Sequence, residues 1–340
     1  MTSHDVPLKF GVAFLPGPPA EFSSWCREAE ALGFDLVGIP DSQSIYRETI
    51  VSSTLAAEHT ERVRFGPMVT NPITRHPAVT ASAIATLAEL APGRVVLGIG
   101  TGDSAVHNLG LGPAKLAGLR EYVTTIRQLL RQGEAEYQGA PVRITWKPPY
   151  VPIYIAATGP RTMELAGEIA DGIIILNGLL SENIEAALTH IGAGAARAGR
   201  QVDDLDLWWW AYAAVADLRA DAIESLMMSL TSGAKHLARV TTKGKQIPPE
   251  LEPTFHEVMG RYRFDQHQVP GGANVQLIQE LGLVDYLAER MTLSGTPDDC
   301  KAQVIRAQQA GAHQFCMLVP YADKIGFMRR WSDGVMASLV

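Results

Sequence analysis

Five polar runs carry most of the residues able to do chemistry, and each directly follows a short apolar run. They are Asp41-Ser42, Thr70-Asn71-Pro72, Gly100-Thr101-Gly102-Asp103-Ser104, Thr158-Gly159-Pro160-Arg161 and Asn177-Gly178. A buried strand emptying into small and polar residues is the usual build of a small-molecule site in an α/β protein. In the fourth run, Pro160 opens a helix. The free NH groups there, the positive end of the helix and the Arg161 guanidinium together suit an anion, although a capped helix beside a solvated Arg161 has the same sequence. The third run fits the loose form of a dinucleotide fingerprint, G-x-G-x-x-A. However, it follows the fourth strand, and the acid at the required distance, Glu121, falls in a predicted helix. Two readings stay open for it: a loop whose NH groups and Asp103 touch a polar ligand, or a tight loop with no ligand.

His107 and Asn108 come just after that loop, and an imidazole titrates near working pH, so His107 is a candidate general acid or base. Surface polarity accounts for it equally well. His76 precedes Pro77 at a helix start and reads as a cap. His256-Glu257 begins like a zinc-binding helix but lacks the second His, so no metal site is expected. Trp208, Trp209 and Trp210 alternate in and out along one strand, where they read as core, with an inward Trp able to wall a flat ring.

Placing these groups takes eight strands, at residues 9–15, 34–39, 63–69, 95–99, 152–157, 172–176, 205–215 and 314–319. Helical spacing fills the gaps, for example over 20–32, 50–58, 76–90 and 115–131. Crossovers of helical length impose parallel pairing, so the expected fold is an α/β (β/α)8 TIM barrel in a single domain, residues 1–340. Gln138-Gly139 marks a hairpin within 133–150. Ser181 is placed to N-cap a helix running to about 198, and Thr296-Pro297-Asp298-Asp299 starts another. Residues 220–293, between strands seven and eight, form a mostly helical insertion expected to act as a lid or substrate wall over the mouth.

Apolar residues make up 46% of the 340 and charged residues 19%, enough for a large core. A net charge of −7 without a basic run argues against nucleic acid or an anionic membrane as partner. Cys26, Cys300 and Cys316 show no metal-like spacing and suit a reducing cytoplasm. The first ten residues hold no signal-like apolar run, and no apolar stretch reaches the roughly 18 residues of a membrane span. A soluble cytoplasmic protein is expected.

Three runs, FGVAFLP at 10–16, GPMVTNPITRHPAVTASAIATLAELAPGRVVLGIGTGDS at 66–104 and VPIYIAATGPRTMELAGEIADGIIIL at 151–176, resemble the bacterial luciferase-like superfamily. Within it they are most similar to the methylenetetrahydromethanopterin reductase branch. The resemblance covers about residues 8–215 and the last strand and helices, while 220–293 carries no such signature. It implies a TIM barrel, usually a homodimer, with a flavin-type ring at the C-terminal mouth. The ring would belong to reduced FMN, for O2-dependent monooxygenation served by a separate flavin reductase, or to the deazaflavin coenzyme F420, for hydride transfer. Either would place a phosphate on Thr158, Gly159, Pro160 and Arg161, and the ring over Val69, Thr70, Asn71, Thr101, Gly102 and Asp103. Many members have a cis peptide that would fall at Met68–Val69, although a small residue often stands where this chain has Met68. Two departures bear on the chemistry: an acid on strand one is Ala13 here, and a His following the strand-two Asp41 is Ser42. Asp41 and Ser42 are then candidates for substrate contact, and His107 and Asn108 for catalysis. Without those proton-handling groups, the resemblance favours a reduced-FMN monooxygenase of a small organic substrate. An F420-dependent reductase or dehydrogenase is the alternative, and a non-enzymatic flavin-binding barrel the third reading.

Overall fold

A computed structural model describes residues 6–267, 269–320 and 322–339. In chain order it contains β1 (Lys9–Phe14), α1 (Pro19–Ala31), β2 (Leu36–Ile39), α2 (Thr49–His59), β3 (Arg64–Pro67), α3 (Pro77–Leu90) and β4 (Leu97–Ile99). Then come the short α4 (Ser104–His107), α5 (Leu116–Gln132), the hairpin β5 (Glu134–Tyr137) and β6 (Ala140–Arg143), β7 (Ile153–Ala157), α6 (Pro160–Ile169) and β8 (Gly172–Ile175). The rest are α7 (Ser181–Arg197), β9 (Asp206–Val215), α8 (Arg219–Ser225), α9 (Met227–Ala238), α10 (Glu252–Arg261), α11 (Ala273–Glu280), α12 (Val284–Met291), β10 (Thr292–Gly295), α13 (Pro297–Gln309), β11 (Gln314–Val319) and α14 (Lys324–Gly334).

Eight of these strands pair in parallel in the order β3-β2-β1-β11-β9-β8-β7-β4. The two ends meet through bridges between Phe65 and Val95 and between Thr70 and Ile99, which closes a barrel. The strands are buried on both faces because one faces the barrel interior and the other the helices. Trp208, Trp209 and Trp210 show this: Trp208 and Trp210 pack with the interior residues and Trp209 with the residues under the helices. Local signals set the helix starts. His76 caps α3 by accepting from Ala78 N at 3.2 Å, and Thr296 and Asp299 form a capping box on α13. Peptide Met68–Val69 is cis.

Two expectations need correction. Ser181 is the first residue inside α7, and Leu180 takes the cap position without a side-chain hydrogen bond. The start is set by tertiary contacts instead: Leu179 N donates to Arg290 O at 2.7 Å, which fixes the chain leading into the helix. The insertion also ends earlier than expected, because Thr292–Gly295 form β10 and pair in parallel with Tyr212 to Val215 of β9. Four residues give no periodic signal, so only the neighbouring strand defines that element.

Helices α8 to α12 sit on the C-terminal end of the barrel. Leu230, Ala234, Phe255, Ile278 and Leu287 share one apolar cluster with Trp208, Tyr212 and Leu318 of the barrel interior. Among the described residues, no helix is long and apolar enough to cross a membrane.

The closing seam between β3 and β4 depends on a residue without a side chain. A Cβ on Gly66 would lie 1.8 Å from Val96 O, a backbone atom that can give way only if the seam opens. Gly66→Ala should destabilise by about 1–3 kcal/mol or more, read as a lower urea midpoint. An unchanged midpoint would show that the seam is not tight.

Candidate functional site

The strand ends surround a cavity of about 220 Å3 with an apolar floor of Met68, Val69, Ala156, Ile174, Leu176 and Leu318. Its rim is polar and comes from the loops after β2, β3, β4 and β7 and from the insertion. A larger open groove of about 650 Å3 lies outside the barrel between α5 and α6. Its charges largely satisfy one another, as in the two-pronged pair Arg120–Glu168, with both contacts at 2.7 Å.

Most of the residues singled out from the sequence meet at the mouth: Asp41, Ser42, Val69, Thr70, Asn71, Thr101, Gly102, Asp103 and Thr158 all line it. Their hydrogen bonds show which remain available. Asp41 accepts from Thr70 Oγ1 at 2.7 Å and from the Arg75 guanidinium, which also holds Glu48. Ser42 and Ser104 join hydroxyl to hydroxyl at 2.9 Å, tying the β2 loop to the β4 loop. Asn71 Oδ1 accepts from Ile73 N and Thr74 N, both at 3.0 Å, so its amide group is what faces outward.

Asp103, expected to touch a ligand, is already held by the insertion. Lys235 Nζ lies 2.5 Å from its Oδ2, His236 Nε2 3.8 Å from the same oxygen, and Arg239 Nη1 3.9 Å from Oδ1. Burial opposes the charge on Asp103, but Lys235, His236 and Arg239 outweigh it and hold the carboxyl well below the ordinary range. Its Oδ1 is nevertheless buried and has no hydrogen-bond partner among the described residues.

Three residues lie elsewhere. His107 stacks on Phe264 with ring centroids 4.5 Å apart, and Asn108 is exposed; neither lines the cavity. The single turn of α4 points Ala105 inward and carries the next residues away. Arg161 is exposed and lines the outer groove. Gly159 and Pro160 begin α6 beside the mouth, with Lys245 packed against Gly159 and Gly244 against Pro160.

The sequence reading missed the insertion's share of the site: Ser232, His236, Arg239 and His267, with Tyr46 and Tyr212 beside them. A signal was available. Ser232, Lys235 and His236 of α9 and Arg239 at its C-cap follow helical spacing and form one polar stripe on a mostly buried helix. His267 Nδ1 is 2.7 Å from the Tyr262 hydroxyl. Burial is the main cause that pushes His236 down to about 3 and His267 down to about 4, so both imidazoles are neutral at physiological pH. Among the described residues, no group of His, Cys, Asp and Glu is placed to hold a metal ion.

With this geometry established, comparison with known proteins adds the following. The luciferase-like monooxygenase family model matches residues 7–314. The 5,10-methylenetetrahydromethanopterin reductase of Methanolobus tindarius is 30% identical over 90% of this chain and 93% of its own length. The F420-dependent glucose-6-phosphate dehydrogenase of Intrasporangium calvum is 36% identical over 94% of this chain and 95% of its own. The solved structure of the coenzyme F420-dependent tetrahydromethanopterin reductase of Methanopyrus kandleri superposes with a TM-score of 0.77 at 25% identity, covering 98% and 100% of the two chains.

The Asp103–Lys235 pair leads to two expectations. Lys235→Met leaves a carboxylate without its main partner and should cost about 3–5 kcal/mol in urea unfolding, and the double variant with Asp103→Asn should recover part of that loss. The folded-state pKa of Asp103 lies below its unfolded value of about 3.9. Its contribution is therefore complete above that pH and is lost as the pH falls through the acid range. Stability measured across the acid range should fall less steeply in Asp103→Asn than in the parent, and equal slopes would rule the pair out as the source.

Proposed function

The chain belongs to the luciferase-like monooxygenase family and is an oxidoreductase, and from that premise we propose that it is a coenzyme F420-dependent reductase or dehydrogenase. The observation that carries the choice of cofactor is likeness along almost the whole chain, up to 36% identity over 94% of it, to proteins that use F420.

The mouth fits such a group chemically. Its floor is apolar, and one buried polar atom on its wall, Asp103 Oδ1, has no hydrogen-bond partner among the described residues. A planar heterocycle with N–H groups would supply the missing donor. Val69 and Ile174 would hold the ring, and Asp103 Oδ1 would accept from its polar edge. The start of α6 would hold the phosphate through the Gly159 and Arg161 NH groups, which lie before the first helical hydrogen bonds, at the positive end of the dipole. Arg239 would add the charge: its guanidinium, held at Gly102 O, lines the same cavity as Thr158, which leads into that helix start. When bound, the deazaflavin takes up or gives a hydride at its ring. The protein's own residues exclude water by laying α9 over the mouth and keep neutral donors at the wall. Burial holds the Tyr46 hydroxyl above its ordinary pKa and therefore protonated.

A reduced-FMN monooxygenase is the second reading, favoured by Ala13 and Ser42 standing where proton-handling groups would be. Fluorescence titration with F420 and with reduced FMN under anaerobic conditions separates the two. Saturable F420 binding is expected to be the tighter, and the reverse order would transfer the proposal to FMN. Arg239→Ala should weaken F420 by about tenfold or more, since a charge-assisted contact is worth roughly 1.5–3 kcal/mol. Arg161→Ala, on the outer groove, should change affinity by less than about threefold. If the two variants exchange these effects, the phosphate lies on Arg161.

A further inference from the structure

The insertion side of the mouth has a chemical character of its own. Ser232 and His236 lie one turn apart on α9, and His267 comes from the loop after α10. Beneath them are Trp210 and Tyr212 of β9. Ser232 is 6% exposed, lines the cavity, and its hydroxyl has no partner among the described residues. His267 is fixed at Nδ1 by Tyr262, which leaves its other ring nitrogen for the cavity.

No free charge accompanies these groups. Asp41 is taken up by Thr70 and Arg75, and Asp103 by Lys235. Arg239 is the one cation lining the cavity among the described residues. Its Nη2 donates to Gly102 O at 2.9 Å and its Nη1 lies 3.9 Å from Asp103 Oδ1, so it is held on the loop after β4, and the F420 reading gives its remaining charge to the cofactor phosphate. A charged group placed against Ser232 and His267 would lose its water and meet no unpaired counter-charge, a cost that a hydroxyl or carbonyl escapes. The aromatic wall favours a flat or apolar body.

We propose that Ser232, His236 and His267, over Trp210 and Tyr212, form a substrate subsite for an uncharged molecule, held by one hydroxyl or carbonyl group against an aromatic wall. This rests on the F420 reading, because that reading assigns Arg239 to the cofactor. The subsite selects against phosphorylated or carboxylated substrates, in contrast to the glucose 6-phosphate named for one relative.

Three probes of one shape and different charge test this: benzyl alcohol, benzoate and benzylammonium, titrated into the full-length protein with and without F420 by ligand-observed NMR. Benzyl alcohol should bind at least about tenfold more tightly than either ion, as expected for the desolvation of an unpaired charge. Ser232→Ala and His267→Gln should each weaken benzyl alcohol by about threefold or more, the loss of one hydrogen bond, and leave F420 affinity within about twofold. Glucose 6-phosphate should give no F420 reduction. Equal or tighter binding of either ion, no measurable binding of any probe, F420 reduction by glucose 6-phosphate, or variants indifferent to benzyl alcohol would each overturn the assignment. If F420 fails to bind while the alcohol preference holds, the cofactor reading falls alone; if F420 binds and no preference appears, the subsite falls alone.

Discussion

A carboxylate on a barrel loop and an ammonium on an inserted helix, 2.5 Å apart, determine how the mouth is built. Lys235 is 1% exposed, so its charge has lost nearly all its water and needs Asp103 in place. The rings of Tyr262 and Phe264 lie 5.5 and 5.8 Å from the same ammonium and favour its charge in the one orientation that also reaches Asp103. Hydrophobic contact alone would let α9 slide on the barrel end, since burial is not directional. The ion pair fixes the helix in one register. Because Ser232, His236 and Arg239 share the stripe with Lys235, fixing one of them turns all of them towards the cavity.

A second tie holds the far end of the same helix. Lys245 Nζ donates to the carbonyls of His236, Leu237 and Arg239, which the last turn of α9 leaves without helical partners. A cation at that end also meets the negative end of the helix dipole. Burial is the main cause that pushes Lys245 down to about 8. Arg290, fully buried, then binds the carbonyls of Lys245, Gln246 and Asn177 together with the Tyr286 hydroxyl. The roof of the site is thereby joined to the loop after β8, as the Asp103–Lys235 pair joins it to the loop after β4. Both ties end on backbone or charge, so the cavity wall between them keeps its hydroxyl and imidazoles free for a ligand.

How much of this was legible in the sequence depended on how local the signal was. The eight barrel strands, the hairpin at Gln138-Gly139 and the capping box at Thr296 are each specified by neighbouring residues, and the structure has them. That the loops after β3 and β4 line the mouth was legible too, because a loop that reaches the mouth in this fold must follow a strand end. What stayed hidden depends on contacts distant in sequence. Whether His107 faced the cavity turned on the path of α4, and whether Arg161 did turned on which side of α6 it fell. The ion pair of Asp103 stayed hidden because its partner Lys235 is 132 residues away. The polar stripe on α9 was visible by spacing, but on a helix with no recognised signature a stripe reads equally well as a solvated face, and only the ion pair distinguishes the two.

The departure at Ala13 takes on a structural meaning in the same way. Its side chain is fully buried, and a Cβ on the neighbouring Gly38 would lie 3.2 Å from the Ala13 methyl and 2.9 Å from Met68 Sδ. Ala13 and Met68 therefore crowd the same point of the barrel interior, and a larger residue at 13 would need a smaller one at 68. The resemblance implies that opposite arrangement, an acid on the first strand and a small residue before the cis peptide. A close-packed interior makes the two differences one exchange of volume. At that point the barrel interior therefore holds a methyl beside a thioether and no ionisable group, and the polar side chains that line the cavity from above come from α9 and the loop after α10.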